Sequence, residues 1–307
     1  GEHRLPFYID AIRTELRNGR QTLLLTPEVA FCNRLESALR KEFGAQLAIV
    51  HSGKTPSSRQ HTAMRLRNGQ AIVVLGTRSS VFLPFNRLGL IIIDEEQDPF
   101  YKQSEPAPRY NGRDCAIFLA SLHNAEVLLG TACPSLETLL NLHSGKYLLS
   151  GHLRQESTPE LPHGSACEAP IPAGTNPPLD SDLAETSADG QSPGLTVIDI
   201  TAERRKNGMK GPLSRKLIAA VSRVDGPSLL IRGWERKDEL SECINANLPE
   251  ADVSVRTLAE LKRSGADGVK LIAVLQADAL LSKDDFRSDE RALQMVAMLR
   301  EFSSTVI

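Results

Sequence analysis

Leu90-Ile91-Ile92-Ile93-Asp94-Glu95-Glu96-Gln97 is the stretch on which the fold turns. Four apolar residues, three of them β-branched, run directly into three carboxylates. An unbroken apolar run of this kind reads as a strand buried on both faces, the mark of a parallel sheet covered by helices. The same unit recurs on either side of it. Thr22 to Leu25 is followed by Thr26-Pro27-Glu28, Ala71 to Leu75 by Gly76-Thr77-Arg78-Ser79, and Glu126 to Leu129 by Gly130-Thr131-Ala132-Cys133-Pro134-Ser135. A further strand is expected at Leu47 to Val50. Helical patterns fill the gaps over Phe7 to Asn18, Val29 to Phe43, around Ser57 to Arg67, and over Arg113 to His123. In open α/β sheets the ligand crevice lies beyond the C-terminal ends of the strands. The clusters at the strand tips are therefore the candidate functional residues. An Asp in such a place can hold Mg²⁺, and a following Glu can polarise an attacking water. A solvated acidic turn is the plain alternative, but four small or polar clusters on strand tips are hard to explain as turns alone.

The chain has 307 residues, about twice a usual domain, so two lobes are expected. A hydrophobic share of 41% with 24% charged residues is ordinary for a soluble globular protein. No apolar run approaches the roughly 18 residues of a membrane span, and no signal peptide opens the sequence. Five scattered cysteines, Cys32, Cys115, Cys133, Cys167 and Cys243, form no C-x-x-C pair. They argue against a disulfide framework and against structural zinc, and they suit a reducing cytoplasm. The net charge of −2 gives no argument from bulk basicity for nucleic-acid binding. Residues 1–150 carry 17 Lys and Arg against 14 Asp and Glu, and residues 195–307 carry 18 against 17. Residues 151–194 carry one against seven, together with seven prolines. With so little apolar periodicity this segment cannot offset its ordering entropy, and it reads as a disordered acidic linker. Beyond it, strands are expected at Leu195 to Ile200, Ser228 to Ile231, Asp252 to Val255 and Val269 to Leu275. The expected fold class is α/β, with parallel-sheet lobes at 1–150 and 195–307 joined by the linker at 151–194.

The strand-tip clusters, in this order, resemble motifs Ia, Ib, II and III of superfamily-2 helicases, and more closely the replication-restart helicases of the PriA family. The residues that carry the resemblance are Gly76 to Phe85, Asp94 to Gln97 with Tyr101-Lys102-Gln103, Pro106 to Tyr110, and Arg113-Asp114. Residues 6–150 look like the family's first helicase lobe almost continuously. The second lobe is similar in patches, at Gly211 to Ser214 and from Ala277 to Arg291. The resemblance implies two RecA-like lobes of the P-loop NTPase type, the second reduced, with ATP and Mg²⁺ as cofactors. It also implies DNA, single-stranded or forked, and replication-restart proteins as partners, with no membrane, and DNA-dependent ATP hydrolysis in the cytoplasm. It assigns Asp94 to Mg²⁺ and Glu95 to water activation. Thr26, Thr77, Arg78 and Ser79 would touch the DNA backbone, and Thr131 and Ser135 would couple nucleotide state to lobe closure. The Tyr101 to Tyr110 loop, with Lys102 and Arg109, would stack bases and neutralise phosphates. The same loop reads equally as an aromatic-anchored surface loop.

Against that pattern the nucleotide-binding segments are altered. Ser52-Gly53-Lys54-Thr55 imitates a phosphate loop, but Ala48 stands where its first glycine is needed, and it follows motif Ia instead of preceding it. The gapless position of the family's loop is Gly1 to Leu5. There Arg4 falls where the family has lysine and Leu5 where it has a Mg²⁺-binding threonine, so either the loop is degenerate or the sequence begins just after, or within, the real one. Leucine offers no oxygen, and arginine is a planar fork in place of a compact ammonium. Motif V reads Arg256-Thr257-Leu258. Motif VI reads Val296 to Glu301, with Arg300 the one partial substitute for an arginine finger. The family's cysteine-rich zinc insert is missing after Trp234. Two readings follow, a helicase core with impaired ATP turnover and a catalytically inactive pseudo-helicase that binds DNA or protein.

Overall fold

The computed structural model describes residues 4–149, 191–192, 195–233, 235–266, 268–277 and 287–307. The expected linker at 151–194 lies outside these residues apart from 191–192 and so is not described as such. Trp234 and most of the 277–291 similarity also lie outside them.

The first lobe runs α1 (Leu5–Arg17), β1 (Gln21–Leu25), α2 (Val29–Phe43), β2 (Leu47–Val50), α3 (Pro56–Arg67), β3 (Val73–Gly76), β4 (Leu88–Asp94), α4 (Gly112–His123), β5 (Glu126–Gly130) and α5 (Leu136–His143). Its five strands are parallel in the order β2-β3-β1-β4-β5. Side chains alternate across a strand, so a sheet covered on both faces needs apolar residues at every position. Leu23, Leu25, Ile91 and Ile93 enter one core with Ala116 and Ala120 of α4. Leu24, Ile92 and Leu75 enter the other with Tyr8 and Ile12 of α1 and Cys32 and Leu39 of α2. Burial of each leucine on this central strand contributes about 1.5–3 kcal/mol. The polar exceptions on β1 are Thr22 and Gln21, the latter fully hydrogen-bonded. Its amide donates to Leu66 O and Gln70 O, at 2.8 and 3.2 Å, and its Oε1 accepts from the backbone of Asn86 and Arg87, at 3.0 and 3.1 Å. All four hydrogen-bond positions of the buried amide are filled, so it ties three segments together without a desolvation penalty.

The second lobe contains β6 (Gln191–Ser192), β7 (Leu195–Thr196), α6 (Ile200–Lys206), β8 (Met209–Lys210), β9 (Leu213–Ser214), α7 (Arg215–Ser222), β10 (Ser228–Ile231), α8 (Lys237–Asn247), β11 (Val253–Arg256), α9 (Leu258–Ser264), β12 (Leu271–Val274), α10 (Ser288–Phe302) and β13 (Thr305–Val306). Its main sheet has the order β11-β10-β12-β13-β7-β6, parallel except at β6–β7, and β8–β9 form a separate hairpin. The strand expected over Leu195 to Ile200 is shorter. It stops at Thr196, and Asp199 caps α6 by accepting from Ala202 N at 2.9 Å, which turns Ile200 into helix. The chain is thus α/β with two parallel-sheet lobes of RecA-like type.

Candidate functional site

The sheet order makes β3, β1, β4 and β5 consecutive neighbours, and all run parallel. The four clusters predicted at strand tips are therefore brought to one edge. Asp94 is the last residue of β4 and is 2% exposed. Its Oδ1 accepts from Tyr8 Oη at 2.8 Å and from Arg4 Nε at 3.3 Å. Glu95 follows in a left-handed conformation with φ of 53°, which a residue with a side chain adopts only when its surroundings impose it. That twist brings its carboxylate to the Arg4 guanidinium, and its Oε2 accepts from Gln97 Nε2 at 2.8 Å. The remaining arm of Arg4 donates to Glu301 Oε1 at 2.7 Å. One guanidinium thus serves three carboxylates, two at the tip of β4 and one at the end of α10 in the second lobe.

The electrostatics follow from burial. Burial opposes the charge on Arg4, but Asp94 and Glu95, with smaller contributions from Tyr8 and Glu301, outweigh it and hold the guanidinium above its ordinary pKa. Burial pushes the Glu95 carboxyl up; Arg4 pulls it down, and the neighbouring carboxylates Asp94 and Glu301 push the same way as burial. Glu301 lies below its ordinary value despite burial, because Arg4 favours its charged form.

The rest of the acidic cluster binds the next strand tip. Glu96, 2% exposed, accepts from Ser135 N at 2.7 Å, Ser135 Oγ at 3.1 Å and Arg113 Nη1 at 2.9 Å. Gln97 Oε1 accepts from Thr131 Oγ1 at 2.6 Å, and Thr131 Oγ1 in turn accepts from Cys133 N at 3.0 Å. Ser135 also caps α5. Glu95, Glu96 and Gln97 are thus linked by hydrogen bonds to Thr131 and to Ser135, the cap of α5. That helix meets the second lobe through Glu137 with Arg287 and through Leu136 N with Glu290 Oε1, at 3.0 Å in the latter case. Lys262 Nζ donates to Asp98 Oδ2 at 2.9 Å as a further inter-lobe tie.

The residues expected to meet DNA divide into two groups. Thr26 is fully buried, and its hydroxyl donates to Glu28 O at 3.2 Å and contacts Cys32 Sγ at 3.0 Å. Tyr101 is 1% exposed, and its hydroxyl contacts Leu25 O and Asp94 O at 3.0 and 2.7 Å. Neither side chain presents a surface to a nucleic acid. Tyr101 is the anchor of its loop and supports the strand end that carries Asp94. Lys102 and Arg109 are exposed, and Tyr110 is half-buried with its ring edge-on to Phe82 at 4.9 Å. Thr77 and Ser79 are half-buried beyond β3, and Arg78 donates to Phe100 O at 2.8 Å. Ser52 to Thr55 lies after β2, at the far edge of the sheet from β4, and Thr55 caps α3 by accepting from Ser58 N at 3.3 Å.

In the second lobe, Thr257 and Glu260 form a capping box on α9, and the motif VI segment lies inside the continuous helix α10. Arg300 is exposed, and the acidic side chain that this turn sends into the cleft is Glu301. Glu301 and Tyr8 are the two site residues that sequence reasoning missed. The cleft between the lobes measures about 520 Å³ and is lined by Glu95, Asp98, Lys262, Arg291, Glu301 and apolar residues such as Phe302. As folded, the Asp94–Glu95 pair does not fit Mg²⁺. A guanidinium already lies against both carboxylates, Leu5 has no oxygen to offer, and no group of three His, Cys, Asp or Glu is placed to hold a metal among the described residues.

Gly130 gives a direct handle on this geometry. A Cβ there would fall 1.6 Å from Tyr8 Oη and 2.9 Å from Tyr8 Cζ. Gly130→Ala is expected to push Tyr8 off Asp94 and to cost about 1–3 kcal/mol. Tyr8→Phe in the same background should restore part of that loss in chemical denaturation; full additivity of the two changes would refute the contact.

No protein-family model matches the chain. It is 39% identical over 150 residues to replication restart protein PriA of Chlamydia pneumoniae, a match covering 49% of this chain and 20% of that protein. Against PriA of Haemophilus influenzae it is 40% identical over 147 residues, covering 48% and 20%. Against PriA of Bacillus subtilis it is 34% identical over 149 residues, covering 48% and 18%. Among solved structures, RecG bound to a three-way DNA junction is 13% identical with a TM-score of 0.41, over 93% of this chain and 34% of that one. That likeness is too low to bear on function. The matched stretch spans about a fifth of the length of these curated relatives, and over about half of its own length the chain is similar to replication restart protein PriA.

Proposed function

We propose that this chain forms a helicase-type core used in replication restart, which meets DNA at the C-terminal edge of its first sheet and has impaired ATP turnover. The similarity of about half of its length to PriA supports the setting. The exposed cations Lys102 and Arg109, beside the β3 and β4 tips, support DNA as the ligand of that edge. The observation that carries the reading on turnover is Arg4. Its guanidinium lies against Asp94 and Glu95, the carboxylates that would receive a metal on this reading, and its remaining arm donates to Glu301. A phosphate entering this cleft would face Glu95, Asp98 and Glu301 together with Arg34, Lys262 and Arg291. A second reading, a catalytically inactive module for DNA or protein, is favoured by the Arg4–Glu301 contact, which joins the two lobes directly.

The test is calorimetric titration of Mg²⁺-ATP into the 307-residue chain, with and without single-stranded DNA, alongside anisotropy of labelled DNA at rising salt. DNA binding is expected to be weak and to depend only shallowly on salt, since few phosphates can be neutralised. Mg²⁺-ATP is expected to give no heat of binding. Micromolar nucleotide binding accompanied by DNA-stimulated phosphate release would overturn the impaired-turnover reading, and absence of DNA binding at low salt would overturn the DNA reading.

A further inference from the structure

The apolar cores of the two lobes are separate. The clusters of buried apolar side chains on the two faces of the first sheet draw only on residues 5–129, and those of the second lobe only on residues 195–307. Among the described residues no strand of one sheet pairs with a strand of the other. Ion pairs do cross between the lobes. Arg4 Nη1 meets Glu301 Oε1 at 2.7 Å, Lys262 Nζ meets Asp98 Oδ2 at 2.9 Å, and Arg287 meets Glu137. Beside the last pair, Glu290 Oε1 accepts from Leu136 N at the start of α5, at 3.0 Å. Two folded bodies that meet through polar groups and keep their apolar cores apart are free to move relative to one another once those groups let go.

We propose that these pairs form an ionic latch, so that ionic strength sets the balance between a docked and a parted arrangement of the same two folded lobes. The signs of the pairs are mixed. In them the first lobe presents one base, Arg4, and two acids, Asp98 and Glu137; the second presents one acid, Glu301, and two bases, Lys262 and Arg287. An orientation that moved Arg4 from Glu301 to either base would set like charges together, so the pattern selects how the lobes dock as well as holding them. The pairs also differ in enclosure. Glu137 and Arg287 are 43% and 38% exposed in their side chains, whereas the other two pairs are largely enclosed. Exposed pairs are the first to be screened, since the Debye length falls to about 3 Å at 1 M salt. The enclosed pairs regain water only when the lobes part, which offsets some of the attraction lost. The latch therefore releases first where α5 meets Arg287, and the Arg4–Glu301 and Lys262–Asp98 contacts follow.

Small-angle X-ray scattering and sedimentation velocity on the 307-residue chain, in NaCl from about 0.05 to about 1 M, test this in buffer alone, so the result does not depend on DNA binding or turnover. The expected result is a reversible rise in radius of gyration with salt and a matching fall in sedimentation coefficient, while far-ultraviolet circular dichroism stays constant. Lys262→Gln removes one enclosed charge and leaves Asp98 unpaired while the lobes are docked. Arg287→Glu sets a carboxylate against Glu137 and Glu290. Each change should lower the docked-to-parted ratio by at least about tenfold and move the rise to lower salt. Glu137→Arg in the Arg287→Glu background rebuilds the outer pair with its signs exchanged, and should bring the rise back toward the salt of the parent. A chain that stays compact to the highest salt in both single variants overturns the proposal, and would assign the joint to apolar residues facing across the cleft, such as Phe31 and Phe302. A chain already parted at the lowest salt also overturns it. So does loss of circular dichroism over the same range, which would make the expansion unfolding, or an exchanged pair that recovers nothing.

Discussion

Arg4→Ala is expected to lower the melting temperature of the first lobe by about 10 °C at neutral pH. The residue is largely buried, and so are Asp94 and Glu95, at 3% and 8% side-chain exposure. Removing one partner of a buried ion pair leaves the others uncompensated and costs about 3–5 kcal/mol, and a lobe of this size loses roughly 2–4 °C per kcal/mol. The pH dependence distinguishes this account from loss of packing. Burial already raises the Glu95 carboxyl, and Arg4 is the group that restrains the rise. Without Arg4 the folded-state pKa of Glu95 moves further up. A raised folded pKa gives stability that is fully present below the unfolded value and lost as pH rises through the folded one. The deficit of the variant should therefore be largest at neutral pH and shrink on acidification toward the ordinary carboxylate range. Arg4→Lys keeps one charge and loses the fork, so it should fall between the two. Melting of Arg4→Ala within a degree or two of the parent at neutral pH, or a deficit that grows on acidification, would refute the three-carboxylate arrangement.

The legible part of this molecule is the part where one local pattern determines one structure. Val29 to Phe43, Leu47 to Val50 and Ser228 to Ile231 were each readable to the residue, because apolar runs and a helical stripe leave no competing assignment. The gathering of the strand tips was legible too, since parallel strands with helical crossovers must end on one side. Glu301 was not. It reaches Arg4 from a position 297 residues away, and the motif expected at that point directed attention to Arg300, the adjacent residue, which faces outward. Tyr101 shows a different limit. An aromatic beside a lysine reads as a stacking platform, and only the packing reveals that its ring is buried under the Asp94 turn. Helix α5 went unread because its eight residues bury no side chain. Its position comes from Glu96, a tertiary contact with no local pattern.

Glu96→Ala should produce the other large effect, and its site of action should be α5. The carboxylate is fully enclosed and accepts three hydrogen bonds, from Ser135 N, Ser135 Oγ and Arg113. Alanine removes all three acceptor contacts at once. It leaves Arg113, 15% exposed in its side chain, with only the neighbouring Asp114 as an ionic partner. Loss of such a pair costs about 3–5 kcal/mol, and the unsatisfied Ser135 amide adds to it. Because Ser135 is the cap of α5, the destabilisation should appear first as faster hydrogen exchange along Leu136–His143. It should extend to the two inter-lobe contacts made by the first residues of that helix, Leu136 with Glu290 and Glu137 with Arg287. Glu96→Gln retains an acceptor for Ser135 N but replaces an ion pair with a neutral contact, so its loss should be roughly half as large. Strand β4 itself, held between β1 and β5, should stay protected in both variants. Unchanged exchange in α5, or loss of protection spread evenly through the lobe, would mean that Glu96 supports the core at large and does not link the Asp94 turn to α5.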